Sequence, residues 1–586
     1  MLMTIKGAGR WLCLAGVLIT TPAVAAVNIV RQDLTLDLTG SALSVVAEVE
    51  IEGVVNTKSV LLVMPSVPVT SATAGGTALA VTPHPQNPSL VMIVELPQAL
   101  APKQRTTLTF KLEGTPDCSS GLCMRSAALT FFVPYWGGVR WYLINAEARD
   151  VFDAKIAITV PADHEVLCFG APQVTEGGGT RTWTFAPAHP TEDLALLAGQ
   201  LERVDATLDL PATVLFAAKA THAKAAEAAA KVASQLSGAY AKIWGVTPTK
   251  QVGVGFVPRS FPWGGVGLQG TVLINEAYLE ASGASPSGAS PDLLDQAVAH
   301  ELGHTWWGNY ASSPYDSSEL PLLHESLAEY TTWRGFGAVR GEASRTAGVR
   351  MNAVHYMYRR PGDKDIAILD PAITKSPVKV HAAYCKGSTV MRTFEQRWGG
   401  AFTKALRELL QTAGPYGLSV AKLSAAIKKH TGVDPAHELD QWLRRPGFPR
   451  IKVTVSSDGT TLRAETKDAF TLTLPASVWQ ASGEERRLLV KVGESTTLSD
   501  PATPRPVLVE LDPQWTAVRE IKPTLKGDVS LDGRVDAVDL IEVALRHGAT
   551  LPSERRVDGG YDPLHDINDD RTIDDDDLQE VVSAAR

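Results

Sequence analysis

Between residues 27 and 205 apolar and polar residues alternate in short runs. LTLDLTG, SVVAEVEIEG, RTTLTFKLEG and DAKIAITVP each keep a period of two, with Gly, Pro and Asn between them. That pattern predicts strands with one buried face, and so a β domain. Near residue 218 the pattern changes. AAKATHAKAAEAAAKVASQLSGAYAKIWG is Ala-rich with helical spacing and finds a good stop at Gly245. Helical spacing dominates from there to residue 445. KVTVSSDGTTLRAETKDAFTLTLP and its continuation to residue 521 return to alternating strands and predict a small β-sandwich. Residues 527–586 are acidic and carry an internal duplication; no repeat of solenoid length is present.

The first residues add a targeting signal. Lys6 and Arg10 precede a mostly apolar run from Trp11 to Ala23, and Ala23-Val24-Ala25 has the small-x-small spacing that signal peptidase reads. The run is shorter than the roughly 20 residues a membrane span needs, and no other segment is long and apolar enough, so no transmembrane span is expected. The mature chain is expected to be secreted, periplasmic or at the cell surface. Export permits oxidation, and Cys118 and Cys123 flank a short Ser-Ser-Gly-Leu loop, so they are expected to pair. Cys168 and Cys385 read as buried small hydrophobes. The net charge of −9 comes with no basic stripe to track phosphates, which argues against nucleic acid as a partner.

Ser290-Pro291-Asp292 is a strong helix start: an N-cap serine, a proline at the first helical position and an acid at the positive end of the dipole. LLDQAVAHELGHTWWGN continues with helical spacing. His300 and His304 lie one turn apart on one face of that helix, within reach of one zinc ion. Glu301 sits beside the ion without being a ligand. It is placed to take a proton from the attacking water and return it to the leaving amine. PLLHESLAEYTTW reads as the next helix, and Glu325 is the best third ligand. Glu329, one turn further on, has two readings: a hydrogen bond to a ligand histidine, or a solvated surface glutamate. A bare H-E-x-x-H also arises by chance; the helix start, the WWGN continuation and the downstream Glu325 helix single this one out.

HELGHTWWGN, LHESLAEY and AAYCKGSTVMRTFE together resemble the gluzincin aminopeptidases of the aminopeptidase N type. That family's pattern runs H-E-x-x-H-x-W-x-G-N, then N-E-G-F-A-x-Y, then Y-x-K-G-A. The resemblance covers residues 27–521. It implies a multidomain α+β protein: a signal peptide (1–26), an N-terminal β-saddle domain (27–205), a thermolysin-like, mainly helical catalytic domain (206–447) and a small β-sandwich (448–522). LDQWLRRPGFPRIKV at 439–453 is similar to the family's join into the sandwich. Carried over, His300, His304 and Glu325 are the zinc ligands, Glu301 is the base and Tyr384 is the phenol that steadies the oxyanion. The chemistry agrees, because hydrolysis places negative charge on the carbonyl oxygen and a phenol O–H can donate to it.

Two departures stand out. The gap between His304 and Glu325 is longer than the family's usual one, with NYASSPYDSSELP as the loop that absorbs it. The family's G-x-M-E-N motif, whose glutamate binds the free N-terminus, corresponds here to Gly264-Gly265-Val266-Gly267-Leu268-Gln269-Gly270, followed by the strand TVLINEAY. Gly265 and Gly267 can let a peptide backbone approach and pair as an added strand. The carboxylate is gone, and Gln269 can accept a hydrogen bond but carries no charge.

In the acidic stretch Asp528, Ser530, Asp532, Asp536 and Asp539 fall at positions one, three, five, nine and twelve of a loop, with Gly533 at six and the Arg534 carbonyl at seven. That is the ligand spacing of a calcium loop. Asp566, Asn568, Asp570, Asp574 and Asp577 repeat it, with Thr572 at seven and Arg571 in place of the glycine. Each loop runs into an apolar periodic segment, LIEVALRHG or LQEVVSAAR. Such paired loops resemble a dockerin module over residues 523–586, which implies calcium-dependent folding and docking to a cohesin-like partner. The linker between the loops is longer than in the usual dockerin. A purely structural calcium domain and a disordered acidic tail are the alternatives.

The expected function is zinc-dependent hydrolysis of peptide or protein substrates, led by release of N-terminal residues, with Zn2+ and Ca2+ as cofactors. An endopeptidase on the same site is one alternative, motivated by the missing amine-binding glutamate. A calcium-dependent binding protein with an idle zinc fold is another; Glu301 and Tyr384 argue against it, since a scaffold needs neither.

Overall fold

The computed structural model describes residues 25–133, 140–219, 222–281, 293–314, 317–359, 365–499, 504–551 and 560–585. The signal segment up to residue 24 and the helix start Ser290-Pro291-Asp292 lie outside the described residues. The protein is multidomain α+β, with a β-rich N-terminal region followed by a mainly helical one. Its described residues fall into two compact units: residues 25–281 with 294–311, and residues 293 and 312–585.

The first unit is built on an eight-stranded sheet. Its order is Gln173–Gly177, Thr180–Phe185, Asp153–Pro161, Val27–Asp37, Leu43–Gly53, Arg105–Gly114, Val69–Ala74 and Thr77–Ala78. The alternating segments of the sequence are strands of this sheet. Val27–Asp37 pairs antiparallel with Leu43–Gly53 and parallel with Asp153–Pro161. Val45, Ala47, Val49 and Ile51 share one face and are fully buried, which is the period of two at work. Gln32 is a polar exception in this core. Its amide donates to the Leu143 carbonyl at 2.8 Å and accepts from the Leu143 N–H at 3.1 Å, so both ends are satisfied. Cys118 and Cys123 form a disulfide, whereas Cys168 and Cys385 are buried free thiols.

A five-stranded sheet in the same unit positions the site. Its order is Glu202–Ala206, Ala212–Phe216, Val252–Val257, Thr271–Asn275 and Gly265–Gly267. The three central strands are parallel, and the last strand runs antiparallel along one edge. Helix Ala223–Trp244 connects two of the parallel strands and ends at Gly245, whose left-handed φ of 71° closes it where the sequence predicts.

The second unit holds the helices that follow residue 312. PLLHESLAEYTTW is not one α-helix. Pro321–Ser326 is a π-helical turn that runs into the α-helix Leu327–Arg340. His381–Lys386 is a second π-helical turn, leading into Gly387–Trp398. Further on, Arg450–Val455, Thr461–Thr466, Ser495–Thr497 and Glu520–Pro523 form one small sheet, and Thr473–Gln480, Glu485–Lys491 and Pro506–Leu511 another.

The acidic segment is folded, which corrects the disordered-tail alternative. Helices Ala537–Ala544 and Asp575–Ala584 each open with a capping box, Asp536 with Asp539 and Asp574 with Asp577. The segment also joins the rest of its unit. The Val509 N–H donates to the Ser530 carbonyl at 2.7 Å, and the Arg505 guanidinium to the Asp532 carbonyl at 2.8 Å. Arg359 donates to the Leu551 carbonyl at 2.6 Å. Among the described residues no helix is long and apolar enough to cross a membrane.

Candidate metal centre

His300 and Glu301 lie on the α-helix Leu293–Gly303, and His304 follows its last residue. The imidazoles of His300 and His304 are 4.9 Å apart and near perpendicular. His304 Nδ1 is 3.0 Å from the Trp307 carbonyl. A carbonyl can only accept, so Nδ1 carries the proton and Nε2 keeps its lone pair for a metal. The WWGN continuation anchors this end of the helix. Trp306 Nε1 donates to the Val246 carbonyl at 3.0 Å, and Trp307 packs edge-on against Trp244. Tyr240 donates to the Ala299 carbonyl at 3.0 Å. Asn309 was not singled out in the sequence, yet its amide donates both to the His304 carbonyl (2.8 Å) and to the Gly267 carbonyl (3.1 Å). The Gly-Asn pair after the two tryptophans was the available signal.

Glu325 lies on the π-helical turn Pro321–Ser326. One ligand atom each from His300, His304 and Glu325 lie within 4.8 Å of one another. Two imidazoles and one carboxylate are a donor set that suits zinc, and three protein ligands leave a position for water or substrate. Among the described residues this is the one group of three His, Cys, Asp or Glu side chains brought so close. Glu325 is held from behind through its neighbour: His324 is buried, and its Nε2 accepts from the Ser313 N–H at 3.0 Å.

Glu329 is not solvated. It is 3 % exposed and accepts from Trp333 Nε1 at 3.1 Å and from the Asn352 amide at 3.0 Å. Tyr384 lies on the second π-helical turn, followed by Lys386, whose ammonium donates to the Arg445 carbonyl at 2.7 Å.

The strand Gly265–Gly267 runs directly against the catalytic helix. A Cβ on Gly267 would collide with the Glu301 carbonyl oxygen, and one on Gly265 would lie 2.8 Å from Glu301 Cγ. Only glycine permits this approach. Gln269 is 4 % exposed, in the turn between this strand and Thr271–Asn275.

The two acidic loops share most of their backbone-to-carboxylate bonds. Asp528 accepts from the N–H groups of Asp532 and Gly533, each at 3.0 Å; Asp566 accepts from those of Asp570 (3.1 Å) and Arg571 (2.8 Å). Asp539 accepts from Ser530 N and Asp536 N, both at 2.8 Å; Asp577 accepts from Asn568 N (3.2 Å) and Asp574 N (2.9 Å). Asp532 and Asp570 each accept from the N–H two residues on, Arg534 and Thr572. Gly533 and Arg571 take the same left-handed turn, at φ 84° and 76°. Burial pushes the Asp528 carboxyl up to about 7, with the Asp539 and Asp532 charges adding to it. Asp566 is raised as well, again chiefly by burial.

Residues 244–442 match the Peptidase family M1 domain. The chain is similar to aminopeptidase N of Lactococcus lactis subsp. lactis, with 29% identity over 32% of this chain and 23% of that protein. It is similar to aminopeptidase 2 of Candida albicans, with 22% identity over 52% of this chain and 34% of that protein. The chain thus spans about a quarter to a third of the length of these curated relatives. The fold is that of a solved M1 zinc metallopeptidase from Deinococcus radiodurans, with a TM-score of 0.58 and 18% identity over 73% of this chain and 96% of that one. The ligand triad and the matched domain define a zinc metallopeptidase catalytic region. That region is of the M1, aminopeptidase-like kind.

Proposed function

We propose that this chain hydrolyses peptides with zinc and releases residues from their N-termini. The observation that supports it most directly is the convergence of His300, His304 and Glu325, with Glu301 between the two histidines. These three residues would hold zinc, which when bound would supply a Lewis acid for the attacking water and the scissile carbonyl. Glu301 takes the proton as the water oxygen bonds to the carbonyl carbon. It then hands that proton to the leaving nitrogen as the C–N bond breaks, and ends as the carboxylate it began as. The Tyr384 hydroxyl donates to the carbonyl oxygen while that oxygen carries negative charge. The edge strand Gly265–Gly267 offers backbone groups to an extended peptide, and Gln269 offers the N-terminal ammonium a neutral acceptor. Digesting a peptide library and reading the cut positions by mass spectrometry tests this. Stepwise loss of N-terminal residues is expected. Internal cuts with intact ends would replace the reading by an endopeptidase, and no cut with zinc bound would favour the idle fold.

A second reading concerns the acidic loops. The duplicated hydrogen-bond pattern and the like charges around Asp528 support calcium at both loops, bound by Asp528, Ser530, Asp532, the Arg534 carbonyl, Asp536 and Asp539, and by their counterparts from Asp566 to Asp577. For a partner, the dockerin resemblance favours a cohesin-like protein, and Ile541 and Leu545 are exposed apolar residues of this segment. Calorimetric titration of the full chain with calcium reads the stoichiometry; no heat above a magnesium control would remove this reading. Export is proposed from the first residues together with the Cys118–Cys123 bridge. Sequencing the N-terminus of the mature protein checks it: a chain that still begins at Met1 would count against export.

A further inference from the structure

The elements that carry Glu325 and Tyr384 are both π-helical turns, Pro321–Ser326 and His381–Lys386, each running straight into an α-helix. A π-turn shifts the hydrogen-bond register, so carbonyls within it need partners from elsewhere, and such turns cluster at functional sites. Two serines supply those partners. The Ser326 hydroxyl, fully buried, is 2.6 Å from the Ala383 carbonyl and 3.3 Å from the Pro321 carbonyl. The Ser388 hydroxyl donates to the Tyr384 carbonyl at 2.7 Å and accepts from the Asn352 amide at 3.0 Å. The same Asn352 amide donates to Glu329, one turn beyond Glu325. Two chains of hydrogen bonds therefore run from the Glu325 element to the backbone around Tyr384. Gly387 makes the close approach possible, because a Cβ there would collide with Ser326 Oγ and lie 2.7 Å from Ser326 Cβ. In the family pattern given above, glycine stands where this chain has Ser326 and alanine where it has Ser388. Both departures put a hydroxyl onto the same turn.

We propose that Ser326 and Ser388 are positioning residues that set the spacing of the Tyr384 turn from the zinc ligand Glu325, with Gly387 as the clearance that lets them act. The proposal rests on the hydrolytic reading above and on Tyr384 as the oxyanion donor. Hydroxyls bonded at 2.6–2.7 Å to the carbonyls of residues 383 and 384 fix the backbone from which the phenol projects. A misplacement of about 1 Å can cost on the order of 100-fold in rate.

The test is a mutant cycle on the full zinc-loaded chain with Ser326→Ala, Ser388→Ala, Tyr384→Phe and the doubles of each serine change with Tyr384→Phe. Zinc content and melting temperature check each protein. Two properties are read. One is kcat and KM on a peptide substrate. The other is calorimetric affinity for a phosphinic peptide, whose tetrahedral P–O⁻ stands in for the oxyanion and needs no turnover. Each serine variant is expected to keep its zinc and KM and to lose roughly 10- to 100-fold in kcat, with a parallel loss in phosphinate affinity. Each double is expected to be no worse than Tyr384→Phe alone, since a serine that acts through the phenol has nothing left to position. Gly387→Ala is expected to lower kcat, and Ser326→Gly in the same chain to recover part of it. Serine variants within twofold of the wild type, or effects that multiply with Tyr384→Phe, would overturn the proposal while leaving the hydrolase intact. A wild-type chain that holds zinc yet neither cleaves peptides nor binds the phosphinate would overturn the hydrolytic reading and this one together.

Discussion

The zinc triad and the acidic loops both gather side chains of the kinds that can hold a cation, and they are built on opposite plans. At His300, His304 and Glu325 three donor atoms, two from the end of one helix and one from a π-helical turn, converge to within 4.8 Å. The backbone bond made by His304 uses Nδ1 and leaves Nε2 for the ion. At Asp528 and Asp539 the carboxylates are spent on their own loop, accepting N–H groups from residues 530 to 536. The first arrangement holds donors ready for an ion; the second uses acids to shape a turn and leaves them close to one another. Convergence of lone pairs, more than density of acidic residues, marks the catalytic centre.

Glu395, elsewhere in the second unit, sharpens the contrast. Burial works against its charge, but Arg345, Arg334 and Arg392 outweigh burial and hold its pKa at about 2. Asp528 has aspartates where Glu395 has arginines, and its carboxyl goes the other way, up to about 7. A buried acid surrounded by cations is complete by itself. One surrounded by acids gains from a proton or a bound cation.

The largest effect separating the two plans is expected at Glu301. Glu301→Gln should keep its zinc and lose about 10²–10⁴-fold or more in hydrolysis, while the acidic segment stays as protease-resistant as in the wild type. Zinc-bound mutant protein cleaving at the wild-type rate would remove Glu301 as the base. Next in size is Asp539→Ala, which strands the N–H groups of Ser530 and Asp536 at about 1–3 kcal/mol each. Residues 527–585 should then be digested faster, and calcium should protect them less than it protects the wild type. If limited proteolysis of the wild type proceeds equally with calcium and with chelator, the loops are turns and not cation sites.

A pH series tests the arginine-lined acid. Glu395 has its pKa lowered from 4.5 to about 2. Its contribution is therefore fully present above pH 4.5 and is lost as pH falls towards 2. The shift corresponds to about 3 kcal/mol. Thermal melts between pH 5 and pH 2.5 should fall more steeply for the wild type than for Glu395→Gln; parallel curves would show that the arginines do not act through this charge. The smallest effect is expected at the substrate's end. A neutral acceptor such as Gln269 gives about half the roughly 1.5–3 kcal/mol of a charge-assisted bond. Acetylating a peptide's N-terminus should therefore slow its trimming by about tenfold or less. A far larger loss would reveal a carboxylate acting in Gln269's place.

The regular parts of this molecule were legible because they repeat. Strands such as Leu43–Gly53 keep their period over 11 residues, and HELGH places two ligands by helical arithmetic alone. The π-turns were not legible. Six residues are too few to tell a wider helical register from an α-helix, so PLLHESLAEYTTW read as a single helix. Ser326 gave no sign either, since the carbonyl it reaches lies 57 residues away in the chain. Glu329 carried two readings, solvated or bonded to a ligand histidine, because Trp333 and Asn352, which cover it, declare themselves only in three dimensions. The missing carboxylate in GGVGLQG was plain in the sequence, but how closely that strand lies on the catalytic helix was not.

That closeness bears on how such a chain can evolve. At Gly267 there is room for a hydrogen atom over the Glu301 carbonyl and for nothing larger. Any side chain there would first have to push the strand away, and with it the Asn309 bridge between Gly267 and His304. Such a change would disturb the metal site before it could touch a substrate. A lineage of this chain that regained a firm grip on free N-termini would have to place its acid at Gln269 or in a neighbouring segment, never at Gly267.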